Sequence, residues 1–254
     1  MIFVYILAGL VGLFFLILLL LYFVEPTMLA LPYSWLLWAT MKSPPYLDME
    51  QHFPRHQLLK DNWETIRDEL NEILAKHKDD LPRFHEIDQV QTLISANDKV
   101  PWRIFVFKAY DNWMDDNCFL APKTTALLKQ LPEVKSAIFS VLDGAKHIPP
   151  HRGFYKGVLR YHLALKVPTS APAYITVGGQ KYDWSEGEDV IFDDSYVHSV
   201  QNEADEIRVV LFCDVFRKED IPKWLRRMNE AVFAMRVTSG RLRGAVGKAA
   251  VIPR

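Results

Sequence analysis

Two histidines far apart in the chain carry the clearest chemical signal. His151 lies in Ile148-Pro149-Pro150-His151-Arg152-Gly153, and His198 closes Val190-Ile191-Phe192-Asp193-Asp194-Ser195-Tyr196-Val197-His198. Between them run alternating segments at 159–167, 173–177 and 181–184, broken by Gly, Pro and Asp. Short strands separated in this way form a β-sandwich or barrel. Histidines from distant strands can converge at the mouth of such a barrel, which suits a metal ion. Imidazole serves Fe, Zn, Cu or Ni, so the pair alone does not name the ion.

The residues around the pair narrow the choice. Arg160 and His162 are two apart, so on a strand they share a face. Arg208 follows His198 by ten residues and opens an apolar run at 209–212. An arginine directed into a barrel needs an anionic partner, because an unpaired buried charge is costly. Guanidinium holds a small carboxylate through two parallel hydrogen bonds. Two histidines for a redox metal beside inward cations for a dicarboxylate describe an Fe(II)/2-oxoglutarate oxygenase.

Here the chain resembles the catalytic domain of the aspartyl/asparaginyl β-hydroxylase family, whose bacterial members include lipid A 2-hydroxylases. The resemblance covers 58–215 and is densest in Arg160-Tyr161-His162-Leu163-Ala164-Leu165 and in the segment from Ile191 to His198. It implies a mainly β protein with a double-stranded β-helix core, jelly-roll or cupin-like, and flanking helices. It also implies His151 and His198 as iron ligands. Arg160, His162 and Arg208 would hold 2-oxoglutarate, with Ser140 as a further contact.

Most oxygenases of this chemistry place a carboxylate two residues after the first histidine. Here that position is Gly153. The family is similar in often lacking the acid, so water would complete the coordination; a halogenase also uses a small residue there, to admit chloride. Asp194, four residues before His198, has two readings: the missing ligand, or a turn residue that partners a metal-bound imidazole. The turn-forming run Asp193-Asp194-Ser195 favours the second. His147 is expected on a strand or loop near the mouth, with contact to substrate as its alternative role.

Those residues must be positioned by one sizeable domain. A chain of 254 residues accommodates it together with a membrane segment. A formal net charge of -1 gives no electrostatic reason to expect nucleic acid. Seven Trp, ten Tyr and fifteen Phe favour a packed core over disorder. The two cysteines, Cys118 and Cys213, are far apart, which excludes a disulfide framework and a zinc ribbon. A reducing compartment follows, and it suits Fe(II).

The first 24 residues carry no charge and lack a basic n-region and a cleavage site, so an uncleaved transmembrane helix is expected there. A second apolar stretch, 27–41, with Trp35 and Trp38, is short for a span and reads as an interfacial or re-entrant segment, with a second crossing as its alternative. The expected division is a membrane anchor over 1–42, a dioxygenase domain over 43–235 and a basic flexible tail over 236–254. Ser43-Pro44-Pro45-Tyr46 is the extended exit from the anchor.

Helices are expected at 63–76, capped by Asp61 or Asn62, at 123–131 and at 218–235, and strands at 102–107 and 134–142. His52, His56, His77 and His85 read as surface residues.

The expected function is hydroxylation of an unactivated C–H by O2, with the anchor favouring a lipid acyl chain, such as the 2-position in lipid A or an ornithine lipid. The alternatives are a peptide Asp or Asn side chain, or a non-catalytic binding protein on a degenerate barrel. The expected location is the bacterial inner membrane with a cytoplasmic catalytic domain, where iron and 2-oxoglutarate are found.

Overall fold

The computed structural model describes residues 2–24, 30–88, 91–237 and 249–251. Ten strands form two antiparallel sheets: β1 (Trp102–Ala109), β2 (Asn112–Trp113), β3 (Val134–Leu142), β4 (His147–His151), β5 (Val158–Lys166), β6 (Ala173–Val177), β7 (Gln180–Asp183), β8 (Asp189–Phe192), β9 (His198–Asn202) and β10 (Arg208–Phe216). The larger sheet runs β2-β1-β3-β10-β5-β8 and the smaller β4-β9-β6-β7. From β3 onward the chain crosses repeatedly between the sheets, so each sheet interleaves early and late strands. This is the double-sheet jelly roll the sequence implied.

Alternation along the larger sheet sorts its side chains into two cores. Odd positions such as Tyr161, Leu163, Val209 and Leu211 pack beneath the helix Trp63–His77, which buries Ile66, Leu70 and Ile73. Even positions, including Ala164, Val190, Phe192 and Val210, face the smaller sheet and meet Ile148, Ile175 and Val200. The site residues belong to this inner layer. Asn62 does not cap the helix Trp63–His77 through its side chain; it donates to Leu58 O instead. Glu69 of that helix accepts from the backbone N–H of Lys123 and Thr124, both 2.8 Å, and so caps the next helix, Pro122–Lys129, from outside.

Two expectations about the termini are corrected. Ile2–Val24 is helical, but among the described residues no helix is long and apolar enough to cross a membrane. The expected transmembrane helix, and with it the inner-membrane location, is therefore not supported. The second apolar stretch packs one face on the rest of the chain and leaves Trp35 and Trp38 exposed. It forms the helix Ala30–Thr40, whose Tyr33 and Leu37 pack against Ile221, Leu225 and Val232, while Tyr33 OH donates to Leu225 O at 3.0 Å.

The segment after it is no free linker. Leu47 N donates to Ile191 O and Asp193 N to Pro45 O, so the chain lies along β8. Most of the tail expected to be loose lies outside the described residues. Residues 249–251 are packed: Asn117 Nδ2 donates to Ala249 O at 2.9 Å, and Val251 N to Asn117 Oδ1 at 3.0 Å. His56 is not a surface residue; it is buried with Nδ1 2.7 Å from Asp189 Oδ2. The His52 side chain is buried too, with neither ring nitrogen hydrogen-bonded.

Candidate active site

β4 is an edge strand of the smaller sheet, the one place where Pro149 and Pro150, lacking N–H groups, do not interrupt a ladder. The register slips between Ile148 and His151. The slip brings His151 directly opposite His198 at the start of β9, with ring centroids 4.1 Å apart. Each ring is oriented by its own backbone: Nδ1–H of His151 donates to Pro149 O at 2.8 Å, and that of His198 to Tyr196 O at 3.0 Å. The tautomer so fixed leaves Nε2 of both rings as a lone-pair donor.

Burial and the neighbouring His198 lower the His151 pKa to about 4; burial lowers that of His198 against the opposing pull of Asp194. Both rings are therefore neutral near pH 7, the form a metal ion needs. Among the described residues no group of three or more His, Cys, Asp and Glu could hold a metal ion.

Asp194 sits beside the pair. Gly153 N donates to Asp194 O at 2.8 Å, and a Cβ at residue 153 would overlap the Asp194 carboxylate. Arg160 Nε donates to Asp194 Oδ2 at 2.9 Å, and its Nη1 pairs with Asp214 across the strand boundary. Arg160 thus faces inward as expected but already has two carboxylate partners.

Arg208 differs. It is 1% exposed, its Nε and Nη1 have no hydrogen-bond partner, and no carboxylate among the described residues pairs with it. Burial alone lowers its pKa to about 9. His162 lies on the same inner layer, fully enclosed, with neither ring nitrogen bonded; burial, reinforced by Arg208 and Arg160, pushes its pKa well below the usual range. Ser140 shares that layer across from Val210 and accepts from Trp102 Nε1 at 3.0 Å. His147 is exposed at the far end of β4.

Three contributors escaped the sequence reading. Asp193 is bound by Lys156 Nζ and Arg217 Nη1, both 2.7 Å, and by Ser43 Oγ at 2.8 Å. Burial alone would raise its carboxyl pKa; Arg217 and Lys156 override that and hold it well below the usual range. This network anchors the loop that presents Asp194 and His198. Lys156 and Arg217 sit among other charges in the sequence, and nothing local marked them. Trp184 is also buried, with Arg208 stacked on its ring at 4.5 Å. Its signal was present: Tyr182 and Trp184, two apart, share a face of an otherwise polar segment.

The inner layer of this jelly roll thus holds an opposed histidine pair and a buried arginine. A family model described as aspartyl/asparaginyl beta-hydroxylase matches residues 60–218, and the chain belongs to that family of hydroxylases. It is 34% identical over 208 residues to the ornithine lipid ester-linked acyl 2-hydroxylase of Rhizobium tropici, covering 80% of this chain and 72% of that protein. It is 29% identical over 196 residues to the aspartyl/asparaginyl beta-hydroxylase of Homo sapiens, covering 75% of this chain but only 24% of that one. Among solved structures, the Schizosaccharomyces pombe Cnp3 cupin domain overlaps 34% of this chain and 57% of its own at 13% identity, with a TM-score of 0.28.

Proposed function

We propose that this protein is an Fe(II)- and 2-oxoglutarate-dependent hydroxylase acting at the 2-position of an ester-linked lipid acyl chain. The observation that carries the reading is the coexistence, on facing sheets, of an opposed neutral histidine pair and a buried arginine without a carboxylate. The metal, when bound, would activate O2, the oxidant, with 2-oxoglutarate supplying two of the four electrons as it becomes succinate and CO2 and the C–H bond that gains one oxygen atom supplying the other two. His151 and His198 would hold the iron through Nε2. Arg208 and His162 would hold the cosubstrate's carboxylate, Ser140 lining the same layer. Arg160 would position Asp194 beside the metal-binding pair rather than hold the cosubstrate itself. The enclosed interior excludes water from the reacting groups.

Asp194 argues for hydroxylation over halogenation: the space Gly153 leaves is taken by a carboxylate, which disfavours a chloride ion there. An acyl chain is supported by the Rhizobium tropici relative's substrate. It is also supported by exposed Phe154 and Val197, which adjoin the two histidine-bearing segments. The catalytic domain of this reading is 43–235, with the helix Ala30–Thr40 packed on it.

The test is mass spectrometry of lipid extracts from cells with and without the protein, paired with succinate release in vitro. A gain of one oxygen on an ester-linked acyl chain, lost in His151→Ala and His198→Ala, is expected. Turnover only with Asp- or Asn-containing peptides would replace the lipid with a peptide substrate, and near-wild-type turnover in either variant would sink the metal assignment.

A further inference from the structure

The buried ring contacts form a path from the histidine pair to Arg208. His198 lies 6.0 Å from Phe192, Phe192 lies 5.0 Å from His162, and His162 lies 6.0 Å from Trp184 between centroids; Arg208 Cζ is 4.5 Å from the Trp184 ring. Arg208 and Trp184 therefore mark the end of the inner layer remote from the proposed metal. Trp184 is 4% exposed, and its Nε1–H is buried without an acceptor. A tryptophan taken into a core normally finds a partner for that group. Here it is left unsatisfied beside an arginine with two unsatisfied nitrogens and a histidine with two more. Such a concentration of orphaned polar groups, all but one ring nitrogen of neutral His162 being donors and with no acid to neutralise the arginine, is complementary to a multidentate anion rather than to the protein itself.

We infer that Trp184 is a binding residue for the distal carboxylate of the dicarboxylate cosubstrate, with two separable contributions. Its ring face carries the Arg208 guanidinium and fixes the plane in which the fork is presented. Its indole N–H supplies a further hydrogen bond to the same carboxylate. The two residues come from different sheets, since Arg208 begins β10 and Trp184 follows β7. The carboxylate would thereby tie the smaller sheet to the larger one. This inference rests on the proposed 2-oxoglutarate dependence.

The experiment titrates 2-oxoglutarate into the Zn(II)-loaded protein, Zn(II) being diamagnetic and redox-inert, and follows both heat and the tryptophan indole N–H resonances. Trp184→Phe keeps a ring under Arg208 and removes the N–H, and it identifies the Trp184 resonance by its disappearance. The expected result is that this resonance moves downfield as ligand binds and that Trp184→Phe binds about ten-fold more weakly, the effect of one hydrogen bond to a charged group. Trp184→Leu, which also removes the stack, should bind more weakly still. Wild-type binding with an unmoved Trp184 resonance, or unchanged affinity in Trp184→Phe, would overturn the role of Trp184 and leave the cosubstrate assignment standing. Failure of the wild-type protein to bind 2-oxoglutarate at all would overturn both.

Discussion

The Asp194 carboxylate occupies the volume that a side chain on Gly153 would need. The glycine is therefore matched to the aspartate. The two are also joined through the backbone, Gly153 N donating to Asp194 O. The position that carries a ligand acid in most two-histidine oxygenases is here filled from the neighbouring loop, by a carboxylate held by Arg160.

Placing a carboxylate back at residue 153 should therefore fail. Gly153→Asp is expected to displace Asp194, leave Arg160 with one partner fewer and destabilise the protein by about 1–3 kcal/mol, the usual cost of overpacking. Adding Asp194→Gly should recover part of that stability. Urea denaturation of both variants checks this; a single variant as stable and active as wild type would show that the overlap is relieved without consequence.

Arg208 is a buried charge without a partner, so removing it should relieve the empty protein. Arg208→Met is expected to leave the melting temperature of the ligand-free protein unchanged or raised, while abolishing the stabilisation that 2-oxoglutarate confers. Thermal melts with and without 2-oxoglutarate separate the two effects. A variant destabilised by several kcal/mol would mean that Arg208 is primarily a structural residue.

The helix Ala30–Thr40 belongs to the folded domain. Leu37 is fully buried against the C-terminal helix. Leu37→Ala should cost about 2–5 kcal/mol, the range for deleting a buried leucine side chain. Substitution of exposed Leu7 should cost almost nothing by the same measurement. Equal melting temperatures for Leu37→Ala and wild type would show that this helix is not docked in solution.

Acid should weaken the metal-free protein in a defined window. Burial holds His162 neutral and lowers His151 to about 4, so the unfolded chain takes up these protons first as pH falls. Stability is complete above about pH 6.5 and drains as pH falls from there towards 4, at ~1.4 kcal/mol per unit for each histidine in its window. Asp193, held low by Arg217 and Lys156, drains in the same direction, below about pH 4. Urea midpoints measured from pH 7.5 to 4.5 should decline, and His151→Asn should flatten the decline. A midpoint independent of pH over that range would contradict the burial of the pair.

Local pattern determined a good deal of this protein. Two-residue alternation placed Arg160 and His162 on one face, and the apolar runs located β3 and β5, because a strand buried on both faces must be apolar along its length. The motif around His198 located one member of the histidine pair and pointed to the family. Tertiary structure decided what no local pattern contains. The opposition of His151 to His198 depends on a register slip in a proline-bearing edge strand. The neutralisation of Arg160 depends on Asp194 and Asp214, which reach it from separate segments. Composition made Met1 to Met41 look like one membrane-directed unit, yet the helix Ala30–Thr40 packs on a partner almost two hundred residues away. An apolar surface records only that it must leave water, and whether lipid or protein receives it is settled by what the rest of the chain brings within reach.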